Sequence, residues 1–202
     1  GVIVNYTDLS HALYKLFTEN LVGSISSRKV ACTIPTSLTF SRAMKLPNMD
    51  TAHITEAVHL EAEHYIPVAS SNLYIDYEIT SQEEHVVEVL IVANTKNIVD
   101  CYVKLLQAVG LEPVALEPTM SGSSRLFALA DPSHGAPSLL IDFGSISVDM
   151  AAIDKTMFVN STVPGGSDTI NDLIAKNLGV NLEEAYRLKN TYGISSGVKQ
   201  QA

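Results

Sequence analysis

The chain has 202 residues, 46% of them apolar and 17% charged, a globular composition with length enough for one large or two small cores, and it excludes disorder. Asp and Glu number 22 against 13 Lys and Arg, a formal charge of −9. The basic concentrations Arg28-Lys29 and Arg42 to Lys45 are short and lie beside apolar runs, so a nucleic-acid face, which needs clustered cations against phosphates, is excluded. Cys32 and Cys101 are the two cysteines; each sits in an apolar stretch and reads as a buried, reduced thiol rather than part of a disulfide or metal set. No apolar run approaches the ~20 residues of a membrane span, and no basic-then-apolar leader opens the chain, which fits the cytoplasm. The start at Gly1-Val2-Ile3 and the polar end Ser195 to Ala202 are those expected of a piece of a longer protein.

β-rich runs alternate with amphipathic helical segments, the pattern of an α/β or α+β protein. Asp8 or Ser10 is placed to cap a first helix carrying Leu9, Leu13, Leu16, Phe17 and Leu21 on one side, and Gly23 ends it. Lys29 to Ile34 reads as a buried strand and Leu38 to Leu46 as another, with Pro35-Thr36-Ser37 turning between them and Pro47 as a stop. Asp50 or Thr51 caps a helix with Ile54, Val58, Ala62 and Tyr65 on one face, stopped by Pro67. Leu73 to Thr80 and Val86 to Ala93 alternate as a hairpin around the charged turn Ser81 to Glu84. A helix from Thr95 to Val109 closes at Gly110, completing a helix–hairpin–helix module.

After Pro113 a short strand, Val114 to Glu117, leads to a helix containing Leu126, Phe127 and Leu129. Asp131 to Pro137 is a loop. Strands follow at Ser138 to Phe143, Ser147 to Ile153 and Met157 to Val163, the last two joined by the turn Asp154-Lys155-Thr156. A helix follows Pro164-Gly165-Gly166, and Asn181 caps a last one through Leu188.

The chemistry concentrates in Leu139-Leu140-Ile141-Asp142-Phe143-Gly144-Ser145-Ile146-Ser147. An apolar strand delivers the Asp142 carboxylate at its end. Gly144 permits a tight turn, and the small residues Ser145 and Ser147 leave backbone N–H groups open to phosphate oxygens. Asp142 would hold Mg²⁺ through water beside them. An ordinary β-hairpin has the same local pattern. The Gly165-Gly166 break followed by a helix is a second anion-favouring arrangement, and a plain strand-to-helix turn is its alternative. His59 and Glu63 lie one helical turn apart, but the chain supplies no third ligand to complete a zinc site. No Gly-x-Ser-x-Gly elbow and no complete Walker A motif occurs.

In order and spacing these elements resemble the actin-like ATPases, and within them the PilM family of type IV pilus assembly proteins. Val30 to Pro35, Met44-Lys45-Leu46-Pro47, Glu61-Ala62-Glu63-His64-Tyr65-Ile66-Pro67 with Asp76 beyond it, Glu88 to Ala93 and Gly110-Leu111-Glu112-Pro113 carry the likeness, with Glu183-Glu184-Ala185-Tyr186 through Lys189 and Tyr192-Gly193. The resemblance implies an actin-like (RNase H-like) α/β fold with an α+β insertion. Residues 1–47 would belong to the first actin-like subdomain and 48–112 to the inserted one. Residues 113–202 would return to the first subdomain and begin the second.

It further implies that Asp142, Gly144, Ser145, Ser147, Gly165 and Gly166 are the nucleotide contacts, with Asp142 on Mg²⁺. The family's N-terminal phosphate hairpin and its later adenosine motif are missing, so this chain alone is expected to hold ATP weakly or not at all and not to hydrolyse it. The implied partner is the N-terminal peptide of an inner-membrane PilN-like protein, in a groove that Lys29 to Ile34, Leu38 to Leu46 and the Thr51 to Tyr65 helix could border. Other pilus assembly and motor components would follow, at the cytoplasmic side of the inner membrane, with neither nucleic acid nor a direct membrane span. A GspL-like subunit of type II secretion, an FtsA-like division protein and a sugar-kinase-like phosphotransferase are the other readings.

Overall fold

The computed structural model describes residues 2–130, 136–154 and 156–193. The chain divides into two compact units, Gly1–Leu140 with Ala151–Ser161, and Ile141–Met150 with Thr162–Ala202. Among the described residues the strands form three sheets.

In the first unit, β1 (Lys29–Ile34) pairs in parallel with β5 (Glu112–Pro118), Lys29 lying opposite Glu112 and Ile34 opposite Pro118. All that lies between them in sequence is one long crossover, as a parallel pair requires. β2 (Phe40–Pro47), β3 (Leu73–Gln82) and β4 (Val86–Thr95) make an antiparallel sheet with β4 central. β2 ends at Pro47, its last paired residue, opposite Val86; on an edge strand its missing N–H costs nothing.

β4 is buried on both faces. Val87, Val89 and Ile91 meet Ile54 and Val58 of α2 (Thr51–Tyr65), and Leu90 packs with Met120, Ala151 and Met157 on the other side. Each such aliphatic side chain removed from water contributes ~1.5–3 kcal/mol. α2 forms where its cap and stripe place it: the Asp50 carboxylate accepts from the His53 N–H at 3.0 Å, and Ile54, Val58 and Ala62 are buried.

Several expectations are corrected. α1 (Tyr6–Thr18) is capped by Asn5, whose side chain accepts from the Asp8 N–H at 3.1 Å, not by Asp8 or Ser10, and it buries no residue. β1 is buried only at Ile34. Thr36–Leu38 is a turn of 3-10 helix rather than the start of β2. The reason is tertiary: Thr36 is buried, and its hydroxyl accepts from the Met120 N–H, capping α4 (Thr119–Ala130) from far along the chain. In α4 the buried positions are Met120 and Ser124, whereas Leu126 and Leu129 face outward.

β3 loses its alternation at a register shift between Ile79 and Ser81, which leaves Ile79 exposed. Cys32 is half-buried and Cys101 exposed, both free thiols; burial pushes the Cys32 thiol pKa up. α3 (Lys96–Ala108) ends as expected at Gly110, which has a φ of +79°.

β6 (Ser138–Phe143), β7 (Ser147–Asp154) and β8 (Thr156–Pro164) form the third sheet in that order. The second unit adds α5 (Ser167–Leu178) and α6 (Leu182–Tyr192), which pack together with Ala185 fully buried. The loop Asp131 to Ser133-His134-Gly135, Lys155 of the β7–β8 turn, and the polar stretch Ser195 to Ala202 lie outside the described residues. Among the described residues no helix is long and apolar enough to cross a membrane.

Candidate functional site

Two features of the molecule have the form of a site, one in each unit. The first is the loop pair that contains every candidate nucleotide residue. Asp142 stands exposed near the end of β6, between Ile141 and Phe143. The chain then turns tightly, the Gly144 N–H donating to the Ser147 carbonyl at 3.0 Å.

The Gly165-Gly166 segment docks directly on this turn. The Gly165 N–H donates to the Ile146 carbonyl at 3.0 Å, and those of Ser167 and Asp168 donate to the Gly144 and Ser145 carbonyls, both at 2.9 Å. The glycines serve different ends. Gly165 has a φ of +98°, a conformation that side chains rarely adopt. At Gly166 the constraint is contact: a Cβ there would lie 2.4 Å from the Gly144 carbonyl oxygen and 2.7 Å from that of Ser145.

This zipper has a chemical consequence. A helix begins with N–H groups that lack intrahelical partners, and at α5 two of them, Ser167 and Asp168, are already met by the carbonyls of the turn. The N–H groups of Gly144 and Gly165 are likewise engaged. The N–H groups of Ser145 and Ile146, at the exposed tip, take part in none of these bonds. An anion at this turn would therefore find the Ser145 and Ile146 N–H groups and the Ser145 hydroxyl open to it, whereas the Gly144, Gly165, Ser167 and Asp168 N–H groups are already engaged. Ile146 has no polar side chain to flag it in the sequence.

Nearby, the Lys189 ammonium of α6 bonds the Ser167 hydroxyl and lies over the Tyr186 ring at 5.3 Å. Lys189 belongs to a stretch the sequence singled out, but its reach to Ser167 depends on the packing of α5 against α6. Asp149 is occupied: its carboxylate accepts from the Thr162 hydroxyl at 2.5 Å. Among the described residues no group of three or more His, Cys, Asp or Glu is placed to hold a metal ion, so Asp142 would offer Mg²⁺ a single protein carboxylate.

The second feature is a run of hollows in the first unit, between the β3–β4 face and the β5–α4 segment. One of about 190 Å³ is lined by Asp76, Val92, Leu116 and Pro118 among others. It shares Glu78, Leu90, Ser121 and Arg125 with a neighbour of about 110 Å³ that extends to Ser124, Ile153 and Met157. Arg125 reaches back to the largely buried Glu117 carboxylate and ties α4 to β5.

The elements expected to border a peptide groove divide here. β1 lines a larger hollow of about 590 Å³ on the outer side of α4, through Ala31 and Thr33. β2 lines one of about 370 Å³ through Ala43, Met44 and Lys45. α2 covers the opposite face of the sheet, against Val87, Val89 and Ile91, and so stands away from the β3–β4 hollows. The period-2 pattern shows that β4 has two apolar faces, but not which of them α2 takes.

Compared with solved structures, the chain is similar to a chain of a PilM-PilN type IV pilus biogenesis complex: 22% identity and a TM-score of 0.79, over 96% of this chain and 58% of that one. It is also similar to the cytoplasmic domain of EpsL, an inner-membrane component of the type II secretion system of Vibrio cholerae, at 13% identity and a TM-score of 0.53, over 90% and 65%. The ADP-bound MreB5 of Spiroplasma citri matches at 15% identity and a TM-score of 0.54, over 100% and 45%. The fold is thus that of the actin-like ATPases, and the chain spans 45% to 65% of the length of these structures. No curated protein sequence matches. The family model of the type IV pilus assembly protein PilM matches residues 2–201, and the chain belongs to that family.

Proposed function

We propose that this chain is the peptide-binding part of a cytoplasmic, actin-like adaptor of type IV pilus assembly. Its partner is the N-terminal peptide of an inner-membrane PilN-like protein, which would tether it to the membrane and to other pilus and motor components. The observation that carries the reading is the continuous run of hollows between the β3–β4 face and α4. Its walls are apolar at Leu90, Val92, Ile153 and Met157, and its rim is polar. An extended segment fits such a trough, with apolar side chains in successive hollows and backbone amides toward the polar groups. The likeness to a chain of a PilM-PilN complex supports this choice of partner.

In the complete protein, ATP with Mg²⁺ is assigned to the second unit's loop pair. Asp142 would be the carboxylate toward the ion, and Ser145, Ile146 and Ser147 the groups beside the phosphates. Gly144, Gly165 and Gly166 would shape the turn. The ion would supply charge neutralisation for the phosphates when bound. Nucleotide would then bias the arrangement of the complete protein rather than be turned over rapidly.

The test is a titration of a fluorescent N-terminal peptide of the cognate PilN-like protein into this chain and into the complete protein. Saturable binding that is lost when the peptide's apolar residues become alanine supports the adaptor. Absence of binding to both proteins overturns it. Preference for the corresponding peptide of a type II secretion component would move the chain to that branch.

A further inference from the structure

The smaller hollow contains an unbalanced pair of polar groups. Ser121 and Ser124 stand one helical turn apart on α4, so both hydroxyls point to the same side. Both oxygens are buried, both lack a hydrogen-bond partner, and Ser124 as a whole is only 6% exposed. A buried hydroxyl without a partner gives up its hydration uncompensated, and a serine inside a helix ordinarily escapes that cost by bonding a carbonyl of the preceding turn. Here neither does, and both residues border the hollow of about 110 Å³ together with Leu90, Ile153 and Met157.

We propose that Ser121 and Ser124 are the polar anchor of the peptide groove, reading an amide of the bound segment next to an aliphatic side chain. This deepens the adaptor reading and rests on it. The charge around the groove identifies the kind of segment. Glu78 and Asp76 present carboxylates at the rim, while the nearby cation, Arg125, is already matched by Glu117. The rim is therefore net acidic, and it selects a segment carrying Lys or Arg beside its aliphatic anchor. A second copy of this chain is disfavoured as the occupant, since it brings its own formal charge of −9.

The hydroxyls make an unusual prediction because their binding and folding effects oppose each other. Replacing an unpartnered buried hydroxyl with a methyl group removes a desolvation cost. The Ser121→Ala/Ser124→Ala double variant should therefore melt at or above the wild-type temperature and yet bind the fluorescent PilN-like peptide about tenfold more weakly. Glu78→Gln should weaken the same peptide several-fold and flatten the dependence of its affinity on salt. Wild-type affinity in the double variant, whatever its melting temperature, overturns the anchor and leaves the adaptor standing. A lower melting temperature with unchanged affinity assigns the hydroxyls to internal water and equally overturns it. Failure of the wild-type protein to bind the peptide at all removes the adaptor reading and the anchor together.

Discussion

Gly166→Ala would break the loop pair in the second unit at its closest point. The added Cβ would sit 2.4 Å from the Gly144 carbonyl oxygen, whereas real Cβ contacts essentially never fall below 3.0 Å. The two segments must part by at least about 0.6 Å, and the obstructing atoms are backbone, which cannot swing aside as a side chain would. Three backbone hydrogen bonds cross this contact, at 3.0, 2.9 and 2.9 Å. At ~1 kcal/mol net for each, their loss or distortion destabilises the unit by about 2–4 kcal/mol. For a chain of this size that corresponds to a fall of roughly 5–15 °C in melting temperature.

The cause is steric rather than conformational, since Gly166 has a φ of −134°. Gly179 supplies the contrast: its φ is +66° and nothing lies within 4 Å of its missing Cβ. Gly179→Ala should therefore cost only the left-handed strain of about 1 kcal/mol. Thermal melts of both variants, with amide exchange followed at Gly165, Ser167 and Asp168, separate the two mechanisms. Wild-type protection of those amides in Gly166→Ala, with an unchanged melting temperature, would refute the close-contact reasoning.

Four further outcomes are expected. Met120→Ala, at a fully buried position packed with Leu90, Ala151 and Met157, should destabilise the first unit by about 2–5 kcal/mol in a urea melt. Asn181→Ala removes the acceptor for the Glu184 N–H at 2.8 Å and should cost about 1 kcal/mol, read as faster amide exchange in the first turn of α6. Asp50 is held below the usual carboxylate range, first by the His53 backbone N–H and then by the His53 ring. Its contribution to α2 is complete above the unfolded value of about 3.9 and is lost as pH falls through the lower folded value, because the unfolded chain takes the proton more readily. The protection of the α2 amides, taken relative to the intrinsic exchange rate at each pH, should fall on acidification below about pH 4, and Asp50→Asn, which caps without titrating, should flatten that response. Asp142→Ala in the complete protein should weaken Mg-ATP binding measured by calorimetry, and an unaltered affinity would remove Asp142 from the site.

Much of the architecture was legible in the sequence because it is local. The Asp50 cap with Ile54, Val58 and Ala62 specified α2, and alternation along Leu73 to Tyr77 specified the exposed and covered faces of β3. The glycines at 144, 165 and 166 marked the loops that the structure joins. Hydrogen-bonding needs and side-chain periodicity act within a few residues, so a sequence displays them directly.

What only the tertiary structure decided depends on groups far apart in the chain. The parallel pairing of β1 with β5, the Thr36 hydroxyl capping α4, and α2 covering the Val87–Val89–Ile91 face are of this kind. So are the capture of the first N–H groups of α5 by the carbonyls of the 144–145 turn, and the burial of Ser121 and Ser124 without partners. A serine in a helix or a glycine before one has the same local preference whether its polar group faces water, another loop or a ligand. Which of these it meets is settled by packing, because packing determines which donors and acceptors are removed from water together.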